Sequence, residues 1–237
     1  EVLTLICREV EKVMPEAVAS VIGLDDYGRL RPLAAPSLPE QIAAVIDGEL
    51  AGPMVGACGS AAWSGQPVEC SDIERDPRWQ AYNAPFLALG IRACWSNPVK
   101  GHDGRVLGTI ALYFWENRAP DEFHQRVVDV CLHLCALAIE RDRARARMHQ
   151  LSFFDTLTGL PNRALFNSKV EQMLLGAARR DSAVALLFID IDRCKIVTDN
   201  QVHSAGGTLL RDLAARHGGD LREGDVLARL AGHAVVR

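Results

Sequence analysis

No stretch of this 237-residue chain offers the 18 or more consecutive apolar residues that a membrane-crossing helix needs. Its greasiest segment, residues 127–139, is interrupted by Asp129 and His133. A basic excess is also missing: 26 Lys and Arg stand against 30 Asp and Glu, a net charge of −4, which argues against nucleic acid as a partner. Seven cysteines are an odd number and include no CxxC pair, so a disulfide framework is not indicated. Most of them sit in apolar runs, where Cys behaves as a small hydrophobe, and a reducing, cytoplasmic compartment is expected. No GxxxxGK[ST], GxGxxG or HExxH motif occurs, which removes the usual phosphate loop, dinucleotide fold and zinc protease. There is no signal peptide; the chain opens at Glu1, already in helix-like sequence, and is expected to be a piece of something longer. At 49% apolar and 24% charged residues, the composition suits a folded domain or two rather than a disordered chain.

The patterning is that of an α+β fold. Val2, Leu5, Ile6, Val10 and Val13 recur at helical spacing. Residues 17–24 read as a strand, the DDYG turn leads into a second near 30–35, and a short helix follows Pro39. A Gly-rich loop with a short helix at its centre precedes a strand around Val68, and residues 80–89 suggest a further helix. Residues 92–100 and 106–114 are two strands joined by HDGR, whose Asp103-Gly104 is a strong hairpin signal. All four tryptophans, Trp63, Trp79, Trp95 and Trp115, fall in this first stretch.

From Pro120 a long helix is expected. Phe123, Val127, Val130, Leu134, Leu137, Arg141, Ala144, Met148 and Leu151 are spaced alternately four and three apart, a heptad seam with one charged position. Two readings stay open. In one, the first half packs on its own domain's sheet while the second, RDRARARMH, is a solvated linker. In the other, the seam is a parallel coiled coil that joins two domains and sets a homodimer through residues 123–151. Beyond residue 152 a second segment shows a helix at 163–178, a strand at 184–190, a helix at 204–216 and a short strand at 226–230.

This second segment resembles the GGDEF (diguanylate cyclase) family. The resemblance rests on FDTLTGLPNRALF at 154–166, FIDIDRCK at 188–195 and REGDVLARLAGHAVV at 222–236, of which D-x-LTGLPNR is close to diagnostic. It covers residues 153–237, the first half or so of such a domain. The family joins two GTP molecules into cyclic di-GMP, using divalent metal held by carboxylates. Asp190, with Asp192 two residues on, matches the first of these carboxylates. The signature turn, however, reads Ala231-Gly232-His233-Ala234-Val235. His233 stands where an acidic metal ligand is expected and Ala234 where the catalytic Glu is expected; an Ala side chain neither ligates metal nor takes a proton. Thr198 and Gly207 occupy the positions where the family reads guanine with Asn and Asp. The resemblance therefore implies no intact catalytic set, and Mg²⁺ as a cofactor only if the nucleotide site works. Arg222 and Asp225 match the family's RxxD inhibitory motif, which binds cyclic di-GMP: a guanidinium grips phosphate and stacks on guanine, and a carboxylate accepts from the guanine edge. The alternative for this pair is a surface salt bridge without a ligand. His217-Gly218-Gly219-Asp220 also contains GGD but precedes the RxxD, and reads as a Gly stop at a helix end.

Residues 1–150 resemble a GAF sensor domain in GACGSAAWSGQPVECSDIERDPRW, GIRACWSNPV and GRVLGTIALYF, followed by the exit helix. That family implies an antiparallel sheet flanked by helices with a pocket on one face. Cys58, Cys94, Trp95 and Ser96 are candidates to line it, with plain core packing as the alternative, and nothing in the sequence selects a ligand. Cys131 and Cys135 lie one helical turn apart near His133, but without a second ligand pair they read as core. His102, in the hairpin turn, is expected in solvent, as are Arg141, Arg143, Arg145 and Arg147 on their helix.

The expected architecture is thus α+β: a GAF domain at 1–119, a connecting helix or coiled coil at 120–152, and the N-terminal part of a degenerate, cyclase palm-like α/β GGDEF domain at 153–237. The expected function is sensory. A GAF input is relayed by the helix to a catalytically inactive GGDEF segment upstream of an EAL phosphodiesterase domain, with a second copy of the chain and cyclic di-GMP or GTP as candidate partners. An active diguanylate cyclase and a non-catalytic dimerisation fragment are the alternatives.

Overall fold

The computed structural model describes residues 1–189, 203–219, 221–222, 224–231 and 234–236. The chain divides into two compact units, Glu1–Asp142 and Arg143–Arg237.

In the first unit, β1 (Ala17–Leu24), β2 (Leu30–Ala34), β3 (Val68–Cys70), β4 (Ala93–Lys100) and β5 (Val106–Phe114) form one antiparallel sheet in the order β2-β1-β5-β4-β3. The expected hairpin at Asp103-Gly104 joins β4 to β5, its turn closed by the Gly101 N–H donating to the Arg105 carbonyl at 2.9 Å. β5 also pairs with β1, and there Gly108 is required: a Cβ at that position would lie 2.2 Å from the Ile22 carbonyl oxygen.

Strand alternation gives the sheet two apolar faces, and each is covered. α1 (Val2–Val13) and the first part of α5 (Glu122–Phe153) pack on one, where Leu3, Cys7 and Val10 meet Val21, Ile110 and Leu112 of the sheet and Val128, Cys135 and Ile139 of α5. The other face carries α2 (Glu40–Ile46), α3 (Gly56–Ser64), a single 3₁₀ turn at Pro77–Trp79 and α4 (Asn83–Ala88). Its core is aromatic: Trp79 meets Phe86 edge to face at 4.9 Å, and Phe86 stacks on Tyr113 at 5.6 Å. The fold is the expected one, an antiparallel sheet between helical layers, with the long helix leading on from it.

The second unit follows a bridge between Phe154 and Pro161 with α6 (Arg163–Arg180), β6 (Phe188–Ile189), α7 (His203–Gly218), β7 (Ala228–Ala231) and β8 (Ala234–Val236). Its antiparallel sheet runs β6-β8-β7 around a small core of Phe166 and Ala228 with Val170, Val226 and Leu230. The strand expected from residue 184 starts later, and among the described residues β8 pairs with Phe188 and Ile189. Residues 182–187 instead line a cleft along α6. The strand expected at 226–230 sits at Ala228–Ala231, and α7 ends at Gly218, where the glycine stop was anticipated.

Candidate functional site

On the first unit's aromatic face, β4 and β5 bring Cys94, Ser96, Thr109 and Tyr113 to one side, and α3 lowers Cys58 onto them; Cys58 Sγ lies 3.5 Å from Tyr113 Oη. Three of the four expected pocket residues therefore meet. Trp95 does not: one residue on from Cys94, it points to the opposite face and packs with α1 and α5. A void of about 10 Å³ bounded by Ser20, Ile42 and Tyr113 is lined by none of the four. Cys58, Cys94 and Ser96 are themselves buried, as core side chains are.

Helix α5 carries two stripes. His124, Val128, Cys131, Cys135 and Ala138 are buried on the sheet, so the cysteine pair is core. The expected heptad seam runs one residue out of phase, about 100° around the helix. It lies open: Val130 is 63% exposed, Leu134 48% and Leu137 65%. With Leu5, Ile6 and Val13 of α1, the seam's first half walls an apolar groove of about 530 Å³, rimmed by Glu9 and Arg126. The start of α5 is pinned by buried His124, whose Nδ1 lies 2.6 Å from Asp121 Oδ1 and whose Nε2 lies 3.2 Å from Glu16 Oε1. Backbone and side-chain hydrogen bonds from His124 hold the Asp121 carboxyl below its usual range. From Arg141 to Gln150 every residue is exposed.

In the second unit the D-x-LTGLPNR run folds into a braced turn. Asp155 accepts from the Thr158 backbone N–H at 2.9 Å and its hydroxyl at 2.7 Å, and Gly159 takes a left-handed φ of +72°. Asn162 caps α6 by accepting from the Ala164 and Leu165 N–H groups, and its amide donates to the Ser152 carbonyl at 2.8 Å. Arg229 on β7 donates to both oxygens of Asp155, at 2.8 and 3.0 Å. Burial pushes the Asp155 carboxyl up, but the Arg229 guanidinium and the Thr158 donors outweigh it and hold the group below the ordinary carboxylate range. This pair escaped the sequence reading because 74 residues separate its members. Leu157 of the same turn packs close to Gly207, which the resemblance set at a guanine-reading position: a Cβ on that glycine would lie 3.4 Å from Leu157 Cδ1.

Arg222 and Asp225 form one tight turn. The Arg222 N–H donates to Asp225 Oδ2 at 3.1 Å and the Asp225 N–H to the Arg222 carbonyl at 3.0 Å. Both are exposed and line, with Arg180 and Met173, a cleft of about 560 Å³. Asp190, Asp192, Thr198, Gly232 and His233 lie outside the described residues, and of Ala231, Ala234 and Val235 only the backbone is described, in the β7–β8 hairpin. Among the described residues no group of three or more His, Cys, Asp or Glu is placed to hold a metal, and no helix is long and apolar enough to cross a membrane.

Comparison with known proteins gives these sites a context. The GAF domain family matches residues 1–140, and the family described as diguanylate cyclase, GGDEF domain, matches residues 152–236. The diguanylate cyclase TpbB of Pseudomonas aeruginosa is 42% identical over 92 residues, 39% of this chain and 21% of TpbB. The cyclic di-GMP phosphodiesterase NbdA of the same species is 38% identical over 97 residues, 41% of this chain and 12% of NbdA. The chain thus spans about a fifth or less of the length of these relatives. A domain assigned to a two-component sensor histidine kinase of Sinorhizobium meliloti shares the fold, with a TM-score of 0.51 at 17% identity over 63% of this chain and 95% of that one. The chain belongs to the GAF-domain family over residues 1–140 and carries a GGDEF-family segment over residues 152–236.

Proposed function

We propose that this chain is the sensory and relay region of a bacterial cyclic di-GMP signalling protein, in which a GAF input acts through α5 on a GGDEF segment that makes no cyclic di-GMP itself. The observation that carries the reading is the sequence Ala231-Gly232-His233-Ala234-Val235, in which the resemblance expects the family's acidic signature and Ala231 pairs with Ala234 across β7 and β8. A magnesium site would draw on Asp190, Asp192 and the imidazole of His233; the second carboxylate and the catalytic Glu have no counterpart. That donor set does not fit two-substrate phosphoryl chemistry, and no step is routed through it. The likeness to a phosphodiesterase as well as to a cyclase supports an EAL domain as the output of the full-length protein.

The relay is a homodimer. A second copy lays its own α1–α5 face into the groove of the first, since the seam is a heptad repeat and the rim holds one acid and one base, Glu9 and Arg126, which a two-fold axis can pair across the interface. The Arg222–Asp225 turn is the seat for cyclic di-GMP, its guanidinium exposed beside Arg180 on the large cleft. Full-length protein incubated with GTP and Mg²⁺ or Mn²⁺ is expected to form no cyclic di-GMP, and removing residues 141–150 in steps that break the heptad should uncouple phosphodiesterase output from its input. Product formation that is abolished by Asp190→Ala would overturn the first claim, and unchanged regulation after the deletions the second.

A further inference from the structure

Helix α3 places Cys58 in its first turn, where free backbone N–H groups and the helix dipole favour an anion. What faces its sulfur is a set of donors. Ser20 donates to Tyr113 Oη at 3.2 Å, which leaves the Tyr113 proton free for the Cys58 sulfur 3.5 Å away. Ser96 Oγ and Thr109 Oγ1, both in fully buried side chains on the same sheet face as Tyr113, have no hydrogen-bond partner among the described residues. A neutral thiol is a weak acceptor, so three hydroxyls converging on it remain poorly satisfied; a thiolate satisfies them.

Cys94 is the second thiol. It lies opposite Tyr113 in the β4–β5 register and in the same core cluster as Cys58. Donation from Cys94 lowers the Cys58 pKa below the ordinary thiol value against the opposing effect of burial, and Tyr113, Ser96 and Thr109 add to the lowering. Burial, with the Cys58 sulfur next to it, pushes Cys94 well up. Within the pair, ionisation is thus favoured at Cys58 and protonation at Cys94. The other buried cysteines differ: burial drives Cys7, Cys70 and Cys135 up to about 12.

We propose that Cys58 and Cys94 form an oxidation-sensing dithiol in the core of the GAF unit, converted to a disulfide by a small peroxide. The Cys58 thiolate attacks one oxygen of hydrogen peroxide, the O–O bond breaks, and the departing hydroxide leaves as water after taking a proton. Cys58 is then a sulfenic acid. The Cys94 sulfur attacks it, the S–O bond breaks, and the hydroxyl group departs as a second water with the Cys94 proton. Two thiols lose two electrons and two protons, and one peroxide becomes two waters. An input of this kind needs no metabolite pocket. What must reach the buried sulfurs is a peroxide, a small uncharged molecule.

The test uses the whole chain, fully reduced, with one to five equivalents of hydrogen peroxide, quenched by an alkylating agent and mapped by peptide mass. The Cys58–Cys94 disulfide is expected as the first product, and Cys94→Ser is expected to trap Cys58 as a dimedone-reactive sulfenic acid. Peroxide consumption should fall about tenfold or more in Cys58→Ser, in keeping with loss of the one cysteine of lowered pKa among the described residues. If Cys58 and Cys94 stay reduced while the other cysteines oxidise, or all seven react at one rate, the proposal fails. Should the variants not fold, the wild-type rate of Cys58 loss against pH decides: a plateau below the ~8.5 of an ordinary thiol supports the site, and one at or above it overturns the site.

Discussion

The turn from Asp155 to Arg163 and the hairpin from Ala231 to Val235 belong to the same short segment and differ in what their side chains can do. In the first, Asp155 and Thr158 bind each other, Asn162 caps a helix, and Arg229 reaches in from β7. In the second, five residues offer no carboxylate and a single titratable group, His233. Because Arg229 sits on the strand that leads into the hairpin, the contact that braces the hairpin comes from residues other than those that would react. On the proposed reading, bracing and chemistry are separable here, the one kept without the other.

The sharpest way to break that comparison is to put the chemistry back. In full-length protein His233→Asp combined with Ala234→Glu restores the acidic pair, yet cyclic di-GMP formation from GTP is expected to stay at background, because Thr198 and Gly207 still offer no Asn or Asp to the guanine edge. Product from the double variant would show that the hairpin alone decides activity.

Next in size is the effect on self-association. Val130→Glu together with Leu134→Glu puts two charges into the exposed seam and should weaken the dimer by about a hundredfold or more, an estimate from the cost of burying unpaired charge. Sedimentation equilibrium would measure it. An unchanged constant removes the groove from the interface, whereas a matching loss in Leu5→Glu would extend the interface to α1.

The bracing itself is tested by Asp155→Ala. Loss of a two-pronged contact at a partly exposed site should cost the second unit about 1–2 kcal/mol after allowing for solvent screening. It should leave the unfolding of the first unit unchanged. The sign with pH follows from the direction of the shift. Asp155 titrates below its unfolded value of 3.8, so its contribution is present above that pH and is lost as pH falls through the lower, folded value. Equal unfolding midpoints for wild type and variant in urea would show that Arg229 braces nothing.

Much of this was legible beforehand, for physical reasons that also explain the misses. The β4–β5 hairpin announced itself through Asp103-Gly104, and α1 through its spacing. Trp95 was misplaced because β4 is buried on both faces from Ala93 to Val99, so hydropathy does not alternate and the facing of each residue is hidden. Helix α5 shows the same problem at its own period. Two apolar stripes one residue apart are present; the cleaner heptad lies in solvent, while the one that holds the helix to the sheet contains a histidine and two cysteines. Asp155 and Arg229 could be named individually, but pairing across 74 residues is a product of the fold and carries no local signal. For the signature turn, side-chain identity alone carries the proposed reading, since Gly232 and His233 lie outside the described residues.

The smallest effect concerns a contact that bridges the β4–β5 turn and α5. His102, expected in solvent, is 88% exposed in its side chain, yet its Nδ1 lies 2.9 Å from Glu140 Oε1 and its backbone N–H donates to the same oxygen at 3.1 Å. Glu140, by hydrogen bond first and charge second, raises the His102 pKa above 6.5; the same contact, together with the His102 backbone N–H, lowers that of Glu140 below 4.5. The contact therefore stabilises fully below the unfolded histidine pKa and fades as pH rises through the raised, folded value; on the acid side it fades as pH falls through the lowered Glu140 value. Exposed pairs of this kind contribute little, so a titration is the readout rather than a melting curve. By NMR, Glu140→Gln should bring the His102 midpoint back down toward 6.5, while Asp103→Asn, removing a weaker neighbouring charge, should move it less. A midpoint indifferent to Glu140 would mean that the turn leans on α5 through its backbone alone, and that Glu140 braces the hairpin without sensing protons.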